Sequence, residues 1–402
     1  MREVVFVDFA RTAFTNRGGS LRSLASTELA IACLKGLLKK SAILEKGGQN
    51  AIDSVYAGSA GRDKLSIAPV RYITLGAGLS LDTVGHQVEM KCGSGITAIN
   101  HAAWQIALGY ADVAVAGGME SHSTRPAYMS TTTASYKGMP PQWLQLRLSP
   151  FDDQEIAMPA ISDNMAEKWN ISREQCDEFA LRSQQRLDAA YRSGLIGDEI
   201  VPVTVPATKT TPENIVTKDE FPKPQSTFEA LSKLRPVYPD GVSTAGNSSG
   251  VNDGASFVLM MTAEKARELG FTPYAKWVTG ADIGVEPNCM GIGPAFSNLK
   301  AMRFAGLGIE DVDVWECNEA FAAQNLAVIK EMESQSGVSI DQAKWNPNGG
   351  AIAIGHPNGA SGARIAMFAM KQLEKTGGKY AVFSSCCGGG HGTTTIIENL
   401  RR

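Results

Sequence analysis

The chain has 402 residues, 43% of them apolar and 20% charged, with 38 Lys and Arg against 41 Asp and Glu for a net charge of −3. This composition excludes a disordered chain, and the near balance of charge argues against a nucleic-acid or anionic-membrane protein. No apolar run approaches about 18 residues, so no membrane span is expected.

The opening, MREVVFVDFARTAF, carries charges in its first ten residues and lacks the pattern of a secretory signal. Residues 4–7 read as a first strand. Lys91-Cys92-Gly93-Ser94-Gly95 precedes a helix expected over residues 96–108. A buried strand over 113–116 then runs toward Gly117-Gly118. From residue 120 to 248 the texture changes. Helices are expected over 164–169 and 174–193, the second opened by the capping-box pattern Ser172-Arg173-Glu174-Gln175. A Pro-, Thr- and Lys-rich stretch over 204–227 is too long for a simple connector and is expected to cover something. A buried strand follows over 257–261. A strand over 312–315 leads into Asn318-Glu319-Ala320-Phe321, with Asn318 as the expected N-cap of a helix. A helix over 364–373 and a strand over 380–384 lead to Cys386-Cys387-Gly388-Gly389-Gly390-His391-Gly392.

Alternating strands and helices place the chain in the α/β class. The order small-residue turn, helix, strand, glycines occurs twice, from Gly93-Ser94-Gly95 and from Ala360-Ser361-Gly362, which reads as a duplication. Residues 120–248 read as an insertion lying over the site.

Cys92 stands at a helix start, where free N–H groups and the positive helix end stabilise a thiolate, with Lys91 adding charge; the alternative is a buried packing cysteine before a glycine turn. Cys386 and Cys387 end a strand beside three glycines, open to a ligand or merely capping the strand. Adjacent cysteines suit neither a zinc knuckle nor an ordinary disulfide. His356 lies in Gly355-His356-Pro357-Asn358-Gly359. The duplication sets it opposite Cys92, where it would take the thiol proton, unless it only bonds backbone. Seven cysteines, an odd and scattered set, point to reduced thiols in a cytoplasm.

Taken together, ARTAF, CGSG, AGGME, TAGNSSGVNDGA, MGIGP, ECNEAFAAQ, NGGAIAIGHPNGASGAR and CCGGGHG resemble the thiolase family, the acetyl-CoA acetyltransferase and 3-ketoacyl-CoA thiolase group. The resemblance implies two α/β halves, 1–268 and 269–402, in five layers αβαβα, with a loop domain inserted at 120–248. It implies Cys92 as the acyl-holding nucleophile and His356 as its activator. His356 and a water on Asn318 would bind the thioester oxygen. Cys386 would be the acid/base at the α-carbon, and the N–H groups of Cys92 and Gly388 a second oxyanion site. Coenzyme A enters as substrate rather than as a permanent cofactor, over Lys223, Ala245, Ser249, Met158, Met290 and Phe321. No metal is implied. A homodimer or homotetramer is implied, and some relatives work only with a small second subunit.

This chain departs from the short-chain pattern at Ala157-Met158-Pro159, at Lys91, in its second cysteine and His391, and across residues 128–149. These departures suggest acetoacetyl-CoA or a larger 3-ketoacyl-CoA as substrate. A papain-like hydrolase would leave Cys386 and the duplication unexplained. A decarboxylating ketosynthase lacks use for the base cysteine, and a non-catalytic subunit would have lost a catalytic residue.

Overall fold

A computed structural model describes residues 1–130, 142–209 and 211–402. The first half lays down β1 (Val4–Thr12), α1 (Ser26–Ser41), β2 (Ser54–Gly58), α2 (Pro69–Ala77), β3 (Val84–Val88), α3 (Ser94–Leu108) and β4 (Val113–Glu120). An excursion carrying α4 (Met158–Lys168) and α5 (Arg173–Arg192) returns to β5 (Asn252–Thr262). The second half holds β6 (Ala275–Gly284), α6 (Gly293–Ala305), β7 (Val312–Cys317), α7 (Ala322–Ser336), α8 (Asn358–Thr376), β8 (Tyr380–Cys387) and β9 (His391–Asn399).

These strands run in the order β7-β8-β9-β6-β1-β5-β4-β2-β3, and the halves repeat one wiring. β4 lies parallel to β2 and antiparallel to β5, which pairs antiparallel with β1. β8 lies parallel to β7 and antiparallel to β9, which pairs antiparallel with β6. A short contact, Val5 opposite Lys276 and Phe6 opposite Ala275, joins the halves.

Side-chain alternation turns this wiring into layers. Val4, Phe6, Ala114, Ala116, Val258 and Met260 face a central core filled by α3 and α8, which Ala381, Phe383 and Ile397 of the second half also enter. Val5, Val7, Val113, Val115, Leu259 and Met261 face a second core under α1 and α2. Val382 and Ile396 face a third under α6 and α7. The order is helix, sheet, helix, sheet, helix, the duplicated five-layer fold expected above. At the centre α3 and α8 cross so closely that a Cβ on Gly95 would sit 2.6 Å from the Gly359 carbonyl oxygen.

Some expected boundaries move. β4 continues through Gly117-Gly118 to Glu120 instead of turning there. Gly118 lies against the carbonyls of Gly58 and Gly359, so its lack of a side chain serves packing rather than a turn. α8 opens at Asn358, two residues before Ala360. The short helix expected over 164–169 is the end of α4, which begins at Met158 with Pro159 in its first turn. The capping box of α5 forms as expected, with Gln175 N–H donating to Ser172 Oγ.

Gly388-Gly389-Gly390 alone separate β8 from β9, whereas residues 121–251 separate the equivalent β4 and β5. A buried ion cluster holds this insert down. Arg11 of β1, fully buried, donates from Nε to Glu199 at 3.0 Å and from Nη1 and Nη2 to Asp219 at 2.7 and 2.9 Å. Phe14 N–H donates to Asp219 at 2.6 Å, and Asn16 N–H to Glu220 at 3.2 Å. The stretch expected to cover something therefore covers the end of β1.

Candidate active site

The turn before α3 is a single 3-10 turn, Lys91–Gly93. Lys91 holds a left-handed φ of 47°, strained for a residue with a Cβ. Its ammonium pairs with Glu89 at 2.8 Å, so its charge is committed there and not to the neighbouring thiol as expected. Three donors converge on the Cys92 sulfur: Asn358 Nδ2 at 3.1 Å and the backbone N–H groups of Gly388 and of Cys92 itself. Burial, with Glu120 nearby, raises the Cys92 pKa above the ordinary thiol value, and the donors pull against it. The resting group is a thiol among donors rather than the preformed thiolate that a helix start suggests.

His356 stands between Gly355, at φ 102°, and Pro357, the N-cap of α8. Its backbone N–H donates to Asn252 Oδ1 at 2.9 Å, and its Nδ1 lies 2.6 Å from Ser361 Oγ. With Nδ1 carrying the hydrogen, Nε2 presents a lone pair. Asn358 Nδ2 approaches that lone pair at 3.1 Å and Asn318 Nδ2 at 3.4 Å. Burial, then His122 and Arg364, push His356 down to about 3, so its ring is neutral above that pH. Among the described residues no hydrogen bond joins His356 to Cys92 directly. The two residues converge as expected, but the Asn358 amide stands between them, its Oδ1 facing His122 Nε2 at 2.7 Å.

Asn318 is not a helix N-cap, because α7 opens at Ala322 with Phe321 capping. Asn318 follows β7, buried, with its N–H donating to Ser384 O at 2.9 Å and its carbonyl accepting from Asn325 at 3.1 Å. This places its amide beside His356.

Strand alternation sets Cys386 and Cys387 apart. Cys386 joins the third core with Cys317 and Val382. Cys387 lies against Gly93, where a Cβ would collide with its sulfur. Both are fully buried, and burial, then the nearby Cys92, raises both thiol pKa values well above normal. Gly389 and Gly390, at φ 91° and 93°, make the turn that aims the Gly388 N–H at Cys92.

Two cavities open on Cys92. A channel of about 370 Å³ is walled by Met158, Ala245, Ser249, Met290 and Phe321, together with His122 and His356. Lys223 lies outside this wall, its ammonium 5.4 Å from the centre of the Phe221 ring. A second cavity of about 360 Å³ is walled by Tyr128, Leu144, Leu146, Leu148 and Arg125. Cys92, Met158 and Asn358 line both. Of the singled-out segment 128–149, residues 131–141 lie outside the described residues. Pro159 lines the channel, whereas Ala157 is the N-cap of α4 and lines neither cavity.

Sequence reasoning missed Asn358, Ser361, His122 and Arg125. The first two lie inside the very motif read for His356, and His122 follows the strand end at Glu120. Their polar character beside a candidate nucleophile was the available signal. Among the described residues no helix is long and apolar enough to cross a membrane, and no His, Cys, Asp and Glu group is arranged to hold a metal. None of the seven cysteines is in a disulfide.

Family models for the thiolase N-terminal domain and the thiolase C-terminal domain match residues 4–264 and 271–399. The β-ketoadipyl-CoA thiolase of Pseudomonas aeruginosa is 40% identical over 410 residues, covering 99% of this chain and all of that protein. The crystal structure of Bacillus anthracis acetyl-CoA acetyltransferase superposes with a TM-score of 0.91 at 35% identity, covering 99% of each chain. That of human mitochondrial 3-ketoacyl-CoA thiolase in complex with CoA gives 0.88 at 36% identity, covering 99% of this chain and 98% of that one. The chain belongs to the thiolase family.

Proposed function

We propose that Cys92 carries the acyl group in the thiolysis of a 3-ketoacyl-CoA and in the reverse Claisen condensation. The observation that carries this reading is the convergence of Asn358 and the Cys92 and Gly388 N–H groups on one thiol where two cavities meet, with His356 bonded to Asn358 and Asn318 beside that histidine. In thiolysis the Cys92 sulfur attacks the C3 carbonyl while its proton passes to His356 Nε2. The C2–C3 bond breaks, its electron pair leaves as the acetyl-CoA enolate, and Cys386 protonates C2. Incoming CoA gives its thiol proton to the Cys386 thiolate and attacks the acyl carbon. Cys92 leaves and recovers its proton from His356. His356 with a water on Asn318 serves one developing oxyanion, and the Cys92 and Gly388 N–H groups serve the other.

The channel walled by Met158, Ala245, Ser249, Met290 and Phe321 suits the pantetheine arm of coenzyme A, with Lys223 beyond it toward the phosphate end. The relative solved in complex with CoA supports coenzyme A as a ligand of this chain. The second cavity suits the acyl chain. Its three leucines favour a chain longer than acetoacetyl. Arg125, which bonds Glu120 at 3.1 Å among the described residues, has further guanidinium donors that suit a terminal carboxylate. The relative named for β-ketoadipyl-CoA acts on such a chain. The connection between the short helix Ala263–Glu268 and β6 supports the division at 268/269. The exposed edge strand β3, with Ile67 and Leu81 nearby 98% and 77% exposed, supports a homo-oligomer. The scattered, unpaired thiols support a cytoplasmic setting.

The experiment is turnover of acetoacetyl-CoA, of 3-ketohexanoyl-CoA and of 3-ketoadipyl-CoA with CoA. Thiolysis of none of them rejects the activity. Equal kcat/KM for the two six-carbon chains, unchanged by Arg125→Met, rejects the carboxylate preference alone.

A further inference from the structure

Asn358 is polar on both of its working atoms and sits at the junction of both cavities. Its two amide hydrogens are accounted for by two acceptors, Cys92 Sγ and His356 Nε2, each 3.1 Å from Nδ2. Among the described residues its Oδ1 has one donor, His122 Nε2, at 2.7 Å. The orientation of the amide follows from this inventory. Turned over, it would set an oxygen against the sulfur and the His356 lone pair, and a nitrogen against a His122 N–H. His122 is half-buried, and its partial burial depresses its pKa, so it meets the amide as a neutral ring.

We propose that Asn358, oriented by His122, donates to the Cys92 sulfur and sets how readily its thiolate forms. An amide donor is worth more to an anion than to a neutral thiol, so the bond strengthens as the proton leaves. When that proton reaches His356 Nε2, the amide gives up its bond to the ring and keeps its bond to sulfur. Asn358 touches the reacting sulfur and is a catalytic residue in this scheme. His122 acts through it and is a positioning residue. The role in turnover rests on the acyl-cysteine reading above, but the geometry and the test do not require turnover.

Other charges face the sulfur, and each is held constant in the comparison. From its own turn, Lys91 is paired with Glu89. From the end of β4, Glu120 raises the thiol pKa and is itself bonded to Arg125 and to the N–H groups of Ala60 and Gly359. From β8, Cys386 and Cys387 are protonated thiols with strongly raised pKa values.

The test is the rate of iodoacetamide alkylation at Cys92, read by peptide mass spectrometry against pH, with a melting curve for each variant. Asn358→Leu is expected to raise the apparent thiol pKa and slow alkylation at pH 7 by about tenfold or more. Asn358→Asp, which keeps the shape but removes the donor, slows it at least as much. His122→Leu shifts the profile in the same direction, and His122→Gln, which retains a donor for Oδ1, restores most of the rate. The two His122 variants and Asn358→Asp decide the matter if Asn358→Leu does not fold. An unchanged or faster profile in both Asn358→Leu and Asn358→Asp overturns the proposal, as does a His122→Gln profile no better than that of His122→Leu. A wild type that turns over no 3-ketoacyl-CoA but shows the Asn358-dependent profile overturns the function and leaves this inference standing.

Discussion

The Ser361 hydroxyl oxygen lies 2.6 Å from His356 Nδ1, in the first turn of the helix that the histidine precedes. The contact fixes the tautomer that leaves Nε2 free to accept a proton. Loss of a positioned general base typically costs about 10²–10⁴-fold, and we expect a loss in that range in the acylation of Cys92 for His356→Ala. Ser361→Ala should lower kcat by less and leave KM near wild type, because the ring remains. Asn318→Ala, acting through a water, should also cost less than His356→Ala. Rapid-quench acylation rates measure all three, and equal small losses would reject the assigned roles.

Cys386 and Cys387 point to opposite faces of one strand, so their substitutions should separate. Cys386→Ala should still form the acyl-enzyme but fail to exchange the α-proton of acetyl-CoA with deuterated water. Cys387→Ala should exchange normally, with some loss of stability from the space opened against Gly93. The reverse pattern would move the acid/base role to Cys387.

The buried histidine leaves a mark on stability. The folded pKa of His356, about 3, lies below its ordinary 6.5. Between those values the unfolded chain binds a proton that the folded chain refuses, so stability is lost as pH falls from 6.5 toward 3. At pH 5 this amounts to about 2 kcal/mol relative to pH 8. Glu316 works the other way: burial lifts it to about 8 against the pull of Arg364, so its contribution is lost as pH rises from 4.5 through 8. Urea unfolding at pH 5 and pH 8 should show His356→Asn gaining stability over wild type at pH 5 and Glu316→Gln gaining at pH 8. A His356→Asn variant with the wild-type difference between the two pH values would contradict the neutral buried ring.

Arg11 is the buried cation on which the insert hangs. Burial pushes Glu199 up, yet Arg11 and Lys371 hold it well below the carboxylate range. Arg11→Met leaves Asp219 with an uncompensated buried charge while Glu199 keeps Lys371 at 2.8 Å, and losing the partner of a buried charge typically costs about 3–5 kcal/mol. Thermal melts should show the loss, and limited proteolysis should cut first within 204–227. Unaltered melting and cleavage would mean that the insert is held by other contacts.

The duplication was readable because glycines mark where α3 and α8 meet, and that meeting leaves no room for a Cβ at Gly95 or Gly362. The proposed nucleophile, its histidine and most of the channel wall lay in the motifs read from the sequence. The Asn318 cap was misread because a capping residue before an apolar run looks the same whether the helix opens at once or four residues later. The Asn358 bridge was hidden for another reason. Its partners Cys92 and His122 are more than 200 positions away, and only the packing of α8 against the start of α3 and the end of β4 brings them together. The second cavity depends on how residues 128 and 144–148 come back over the site, which no local spacing records.

The proposed acyl transfer passes through a thioester on Cys92. Brief incubation with acetoacetyl-CoA in the absence of free CoA, acid quench and peptide mass spectrometry test it most directly. A single added acetyl group is expected on the Cys92 peptide, removed by later addition of CoA with release of acetyl-CoA, and absent in Cys92→Ser. Acetyl found instead on Cys386 or Cys387, or turnover that survives Cys92→Ser, would contradict it.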